Sequence, residues 1–345
     1  MAHDETMTIQ TCETFDPAEK ARQLETMIGC GISGIVHLTP CGTMVKKSNA
    51  QWRHSPAMRC KQLRNEIAIY KKLPQNHPRL VRFCDSFDDG AMDVWMTLEY
   101  MPNGTLEEYL RGYKKFGGDD KFKLKGETYP DFEARIRRRH DSLTLRQRAR
   151  WCLEAADGIV LLHAYKVIHA DIKPENMGVD ANLGVRIFDL GSSSLGDQPA
   201  LGLESTRYFM PRESWDVYSV TTDCFAVGSS IYHIVTGYRP YDAMPDDEVA
   251  ARFERHEFPD LSGQTTEYEA KYAKDGDTVG VSPVTGQLLF ADTIRKCWFG
   301  EFATAADVLE ALKEEVVATF SGDDLAFIED ASGLKVRVDG ARQEI

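Results

Sequence analysis

The sequence predicts an α+β chain in which strands come first and helices after, and three observations carry that prediction. Short strand-like segments recur up to about residue 101, at Ile35–Thr39, Thr43–Lys47 and Val94–Met101, interrupted by one helical stripe between Arg59 and Leu73. Beyond residue 140 the apolar period becomes that of long helices, with Leu145, Ala149, Cys152, Ala156, Ile159 and His163 on one face. Between these regimes lies Ile168–Gly191, which sets two acids, an amide and a lysine at fixed intervals among short apolar segments. Strands gathered ahead of helices indicate an α+β architecture. With 345 residues, 42% apolar and 10% aromatic, the chain can bury a sizeable core, enough for one large or two closely packed domains.

Charge and cysteine usage exclude several classes. Forty-one basic against 54 acidic residues leave a net charge of −13, a field that disfavours stable nucleic-acid binding and adsorption to anionic membranes. The eight cysteines, at 12, 30, 41, 60, 84, 152, 224 and 297, form no CxxC pair, and the first ten residues carry no secretory leader. Reduced thiols in an intracellular protein are expected, with neither a disulfide framework nor a zinc site. No apolar run approaches the roughly 18 residues that span a bilayer, so no membrane insertion is expected. The expected location is cytoplasmic, or nuclear if the basic run described below serves import.

The stretch IHADIKPENMGVDANLGVRIFDLG holds the chemistry. Asp171 and Asn176 lie on one loop, bracketed by Val167-Ile168 and by Met177-Gly178-Val179, both read as short strands. Asp189 follows the apolar run Val185–Phe188 and is released by Gly191. Transfer of a γ-phosphoryl group needs Mg²⁺ on the phosphates, a carboxylate and an amide to hold the metal, and a second carboxylate to orient the attacking hydroxyl. Asp189 and Asn176 fit the metal, and Asp171 fits the base. Each acid taken alone is an ordinary turn residue, so the joint spacing carries the functional reading.

HADIKPEN and the following DLG resemble the catalytic loop and metal-binding loop of the eukaryotic protein kinases, where the family reads His-Arg-Asp-x-Lys-Pro-x-Asn and Asp-Phe-Gly. Lys173, two residues after Asp171, resembles the serine/threonine branch, in which it neutralises the phosphate in flight. Ala170 departs from the pattern by replacing the family's arginine. The resemblance extends over about residues 24 to 320 with every motif in the family's order. It implies a bilobal fold: a small antiparallel β-rich N-lobe with one helix over 21–101, and a larger, mainly helical C-lobe over 102–320. Inserts fall at about 111–142 and 262–287, a flexible segment at 1–20 and a tail at 321–345.

In chain order, Ile28–Val36 matches GxGxxGxV through Gly29, Gly31, Gly34 and Val36, where glycines let backbone N–H groups approach phosphates. The pattern alone is weak, but the strand after it favours a kinase-type loop over a dinucleotide-binding turn. The resemblance then assigns the α- and β-phosphates to Lys46, with Lys47 as the rival because a one-residue register slip would turn it inward. Leu63, Ile67, Tyr70 and Leu73 recur at helical spacing with Glu66 on the margin. RNEIAIYKKL followed by HPRLV resembles the family's small-lobe regulatory helix and the strand after it, which implies that Glu66 is the carboxylate that orients the lysine. Val94–Met101 resembles the hinge between lobes, with Leu98 limiting pocket depth and backbone groups of Glu99 and Met101 meeting the adenine edge.

Residues 111–142 end in the basic run Arg135–His140, which reads equally as a partner patch or a solvated helix end. Ser192–Ser194 and Ser205–Glu213 resemble the activation segment and its closing motif, with Thr206 expected near Asp171 and Lys173, and Glu213 as the closing glutamate. Thr222–Gly228 and Thr236–Tyr241 resemble the family's central buried helix and the turn after it, which implies that Asp223 anchors the catalytic loop. A buried carboxylate without partners is costly, so it should be hydrogen-bonded. Asp292–Trp298 resembles a penultimate helix, and Thr304 with Asp307 can cap a final one carrying Leu309, Leu312, Val316 and Phe320 inward. The family's arginine ahead of that helix is replaced by Phe302-Ala303-Thr304, which leaves Glu213 without its usual partner.

The resemblance implies an ATP- and Mg²⁺-dependent protein serine/threonine kinase whose partners are ATP and a protein substrate with a Ser/Thr acceptor. Two alternatives stand beside it. One is a catalytically impaired pseudokinase serving as a nucleotide-binding or scaffolding module, suggested by Ala170, the missing arginine and Met44. The other is a small-molecule phosphotransferase on a similar fold.

Overall fold

Five strands of the small lobe, β1 (Thr26–Gly31), β2 (Gly34–Leu38), β3 (Thr43–Lys47), β4 (Phe83–Asp88) and β5 (Val94–Glu99), form an antiparallel sheet in the order β1-β2-β3-β5-β4. The computed structural model describes residues 26–31, 34–39, 42–48, 56–112, 128, 131, 134, 143–202, 204–263, 280–282 and 284–336. The N-terminal 1–20 segment, Ile32 and Ser33 of the glycine-rich motif, the Arg135–His140 run, most of both inserts and residues 337–345 lie outside the described residues. Gly34 has to be glycine because a Cβ there would run into the Lys47 carbonyl across the β2–β3 pair. The register places Lys46 opposite Val36 on one side and Met96 on the other. Side chains alternate along a strand, so this register gives the buried position to Lys46 and leaves Lys47 half-buried.

The single helix of this lobe among the described residues, α1 (Pro56–Lys72), follows its sequence signals. Proline opens it, lysines 71 and 72 meet the carbonyl end of the dipole, and Leu63, Ile67 and Tyr70 are buried on one side. Glu66 is fully buried on that same helix.

The larger lobe is helical. A short α2 (Leu106–Arg111) carries a complete capping box between Thr105 and Glu108 and ends on Gly112 at φ 67°. The Thr-x-x-Glu signal for it was present in the sequence and unread. Next, α3 (Leu145–Ala164), capped by Thr144, packs against α4 (Val220–Thr236), α7 (Ala305–Thr319) and α8 (Gly322–Ser332). Between them lie α5 (Asp246–Glu254), three acids in its first turn, and α6 (Ala291–Trp298). Thr304 and Asp307 close a capping box on α7, with Leu309, Leu312, Val316 and Phe320 buried. Among the described residues no helix is long and apolar enough to cross a membrane.

Two readings differ from the structure. Val167-Ile168 is no strand: the Ile168 N–H donates to Ser194 Oγ at 3.0 Å and its carbonyl accepts from the Ser194 N–H at 2.9 Å, so a loop takes the partners a strand would offer. The hairpin beside the catalytic loop is β6 (Met177–Val179) with β7 (Val185–Ile187). Residues 321–345, read as a tail, contain α8, whose Leu325, Ile328 and Ser332 are buried at helical spacing. Arg79 reaches from the small lobe's side to the Ser332 carbonyl and to Asp157 on α3 at 2.7 Å, fixing α8 to the rear of the molecule.

Candidate active site

The small lobe contributes a cation held by two anions. Lys46 Nζ lies 2.7 Å from Glu66 Oε2 on α1 and 2.6 Å from Asp189 Oδ1 in the large lobe. The other Glu66 oxygen accepts the Leu190 N–H at 3.1 Å, so one buried carboxylate fixes both the lysine and the start of the segment after Asp189. Burial pulls the Lys46 ammonium down, but Asp189 and Glu66 outweigh it and hold the group above its ordinary range. Burial pushes Glu66 up to about 6 against the attraction of Lys46. The Asp189 carboxylate is raised by desolvation and lowered more strongly by Lys46, for a net shift downward. Lys46 thus stays charged, as a phosphate ligand must.

The large lobe contributes the loop Asp171–Asn176. Lys173 Nζ sits 2.7 and 2.8 Å from the two Asp171 oxygens, and Asn176 Nδ2 donates to the Asp171 carbonyl at 2.8 Å and to its Oδ2 at 2.9 Å. Burial raises Asp171 to about 7, opposed by Lys173. Asn176 spends its amide nitrogen on Asp171, which reserves its amide oxygen for another partner. The set Asp189, Asn176 and Asp171 is all oxygen, the donor type that suits a hard cation such as Mg²⁺ and disfavours soft metals. Among the described residues there is no cluster of three His, Cys, Asp or Glu that could hold a metal unaided. The remaining ligands would have to come from phosphate or water, which is how Mg²⁺ is bound with nucleotides.

Asp223, wholly buried on α4, sets the loop. Its carboxylate accepts the His169 N–H at 2.8 Å, the Ala170 N–H at 3.0 Å and His163 Nε2–H at 2.8 Å. Ala170 sits at φ 60°, a left-handed conformation that costs a non-glycine residue about 1–2 kcal/mol. Two successive amides on one carboxylate hold it there. His169 Nε2–H donates to the Phe188 carbonyl at 3.3 Å, tying this loop to the residue before Asp189.

The other anticipated residues lie around this centre. Gly29 and Gly31 lie in β1, and Gly34 and Val36 in β2, paired as a hairpin at the sheet edge. The Glu99 carboxylate bridges Arg186 at 2.8 Å and the Arg82 N–H at 2.8 Å, so its side chain serves the junction between lobes and leaves only backbone for a purine. The Met101 side chain lies against Gly178 of β6, at the floor of the cleft. Leu98, three residues earlier near the end of β5, is buried.

One expectation in the following segment shifts by one residue. Lys173 Nζ donates to Ser205 Oγ at 3.1 Å, so Ser205 and not Thr206 adjoins the base. Glu213 is exposed and without an ion pair among the described residues, in line with the missing late arginine, while Arg212 forms the buried ion pair of this segment, 2.5 Å from Glu204. The apolar environment of Tyr208, whose hydroxyl meets His233 Nδ1 at 2.8 Å, fixes that register. The sequence reading also missed Asn65, whose Nδ2 donates to the Ser193 carbonyl at 2.8 Å and approaches Gly191 O at 3.4 Å. Its one signal was adjacency to Glu66.

A family model described as protein kinase domain matches residues 23–275. The chain belongs to the protein kinase domain family. Its curated relatives include Serine/threonine-protein kinase shk2 of Schizosaccharomyces pombe, 27% identical over 194 residues, covering 55% of this chain and 28% of that protein. Aurora/IPL1-related protein kinase 2 of Caenorhabditis briggsae is 26% identical over 241 residues, 68% of this chain and 65% of the relative. Aurora kinase C of Mus musculus is 28% identical over 203 residues, 57% and 62% of the two chains. The aligned region of the kinase domain thus spans under two thirds of each relative's length. Family members generally use ATP and Mg²⁺.

Proposed function

We propose that this protein transfers the γ-phosphoryl group of ATP to serine and threonine hydroxyls of protein substrates. The observation that carries the reading is the bridging of Lys46, from the small lobe, to both Glu66 and Asp189 at 2.7 and 2.6 Å, together with the Lys173–Asp171 pair at 2.7 Å. The serine/threonine kinases among its relatives support the acceptor class.

In this reading Lys46, kept charged by its two carboxylates, holds the α- and β-phosphates. Backbone groups of Glu99 and Met101 take the adenine edge. Asp189 and Asn176 are the residues that would hold Mg²⁺, which when bound neutralises charge on the phosphates. Asp171 orients the acceptor hydroxyl and takes its proton as the oxygen–phosphorus bond forms and the bond to the ADP oxygen breaks. Lys173 offsets the charge moving between them, and its contact with Ser205 links that charge to the substrate-side segment. The protein is proposed to act in the cytoplasm or nucleus.

Radiolabel transfer to a panel of generic protein substrates by wild type, Asp171→Asn and Asp189→Asn tests the proposal. Transfer by the wild type, reduced at least a hundredfold in both variants, is expected from typical losses of a base or metal ligand of about 10²–10⁴. Nucleotide binding with no more transfer than the variants would make the chain a scaffold. Transfer to an aminoglycoside or choline, and none to protein, would make it a small-molecule phosphotransferase.

A further inference from the structure

The segment that ends in Arg212 is held from two directions. Toward the core, Arg207 donates to Asp246, to the Met244 carbonyl and to the Tyr241 carbonyl, the last at 3.1 Å. Tyr208 reaches His233, whose Nε2 lies 2.7 Å from Glu107 on α2. These contacts fix residues 207 and 208, and the Tyr208 N–H, donating to the Ser205 carbonyl at 2.8 Å, ties Ser205, the residue that meets Lys173, to them.

Arg212 holds the segment from the other side of Ser205, at Glu204. Its Nη2 lies 2.5 Å from Glu204 Oε2, and the Glu204 side chain is only 1% exposed. The same guanidinium donates to the Met210 and Trp215 carbonyls, both at 3.1 Å, and lies over the rings of Phe209 at 4.2 Å and Tyr218 at 4.9 Å. Gly202 makes room for this stack, since a Cβ there would overlap the Tyr218 ring and hydroxyl. One planar cation therefore gathers residues 204, 209, 210, 215 and 218, a task for which the fork geometry of arginine suits and lysine does not.

We propose that Arg212 and Glu204 are positioning residues for the protein substrate: their ion pair sets the backbone of Ser205 against Lys173 and so shapes the acceptor side of the site. The pair lies within the segment itself, and so takes over the task of the late arginine that Phe302-Ala303-Thr304 replaces. This rests on the kinase reading above. Neither residue touches the Lys46–Glu66–Asp189 centre, so the expected signature is selective.

The experiment compares wild type, Glu204→Gln and Arg212→Met in peptide phosphorylation at saturating ATP, together with Mg-ATP affinity and amide exchange. The expected result is a KM for the peptide raised about tenfold or more, as misplacement of a substrate-binding segment implies, with ATP affinity within twofold of wild type. The Tyr208 N–H, which donates to the Ser205 carbonyl at 2.8 Å, should exchange faster in both variants. Arg212→Lys, which keeps the charge and loses the fork, should fall between. Equal loss of ATP and peptide binding would show general unfolding and overturn the assignment, as would unchanged peptide KM and unchanged exchange. Exchange is read without any transfer, so a wild type with no kinase activity but a slowed Tyr208 amide would sink the kinase reading and leave the local clamp standing.

Discussion

The centre of the cleft and the segment downstream of it are both tightly held, but by different forces. Around Lys46 the contacts are between full charges at 2.6 and 2.7 Å, and each partner is chosen by what phosphate chemistry demands. From Ser192 to Ser205 the contacts are mostly to backbone. Ser192, Ser193 and Ser194 are buried, Ser193 Oγ donates to the His169 carbonyl at 2.9 Å, and Asn65 donates to the Ser193 carbonyl. Charged chemistry fixes residue types, whereas backbone carbonyls accept from many side chains. The first region therefore keeps the family's residues and the second departs from them.

The departure at Ala170 has a consequence for regulation. An arginine there would receive a phosphate from the activation segment and order it. Here the same order comes from Glu66 on the Leu190 N–H, Asn65 on Ser193, and serine hydroxyls already engaged inside the fold.

The largest expected effects separate the two regions. Lys46→Met and Asp189→Asn should lower kcat by about 10²–10⁴ while amide exchange in residues 192–205 stays near wild type. Coupled collapse of both would show that the regions are one unit. Asp223→Ala strips three donors of a buried acceptor and should cost about 3–5 kcal/mol of stability, measured by denaturant unfolding. A loss under 1 kcal/mol would mean the loop is anchored elsewhere.

A smaller effect concerns pH. Burial, opposed by Arg212 and assisted by Asp223 and Asp171, raises Glu204 to about 7, with the Tyr218 phenol beside it. A raised carboxyl pKa means that the folded protein binds the proton more tightly than the unfolded chain. Its contribution to stability is thus present at low pH and lost as pH rises toward 7, while the ion pair with Arg212 needs the ionised form. Peptide KM should rise severalfold between pH 8 and pH 6, and a Glu204→Gln variant should lack that component. A profile identical in the variant would dissociate the pair from substrate binding. Smaller still, Asn65→Ala removes one amide donor, worth about 0.5–1.5 kcal/mol, and should accelerate exchange of the 191–194 amides with a severalfold fall in kcat.

The contrast also explains what the sequence made legible. Asp171, Asn176 and Asp189 stood out because their spacing has few structural uses together, α1 because its apolar stripe is regular, and α7 because both its stripe and its capping box are. Lys46 could not be told from Lys47 until the β2–β3 and β3–β5 registers were known. The expectation for Thr206 missed Ser205 by one residue because no periodic element spans Ser205–Glu213, and the register depends on Tyr208 reaching His233 across the chain. Likewise α8 lacks a side-chain cap bond, and its three buried positions were too few to stand out from a polar stretch.

The most direct test of this account is the single-turnover transfer rate of exhaustively dephosphorylated wild type beside Asp171→Asn, both saturated with Mg-ATP. The account predicts that the dephosphorylated protein stays within about tenfold, or 1.4 kcal/mol, of the untreated one, and far above the variant. A dephosphorylated wild type no faster than Asp171→Asn would contradict it, because the centre would then depend on a phosphate that Ala170 cannot bind.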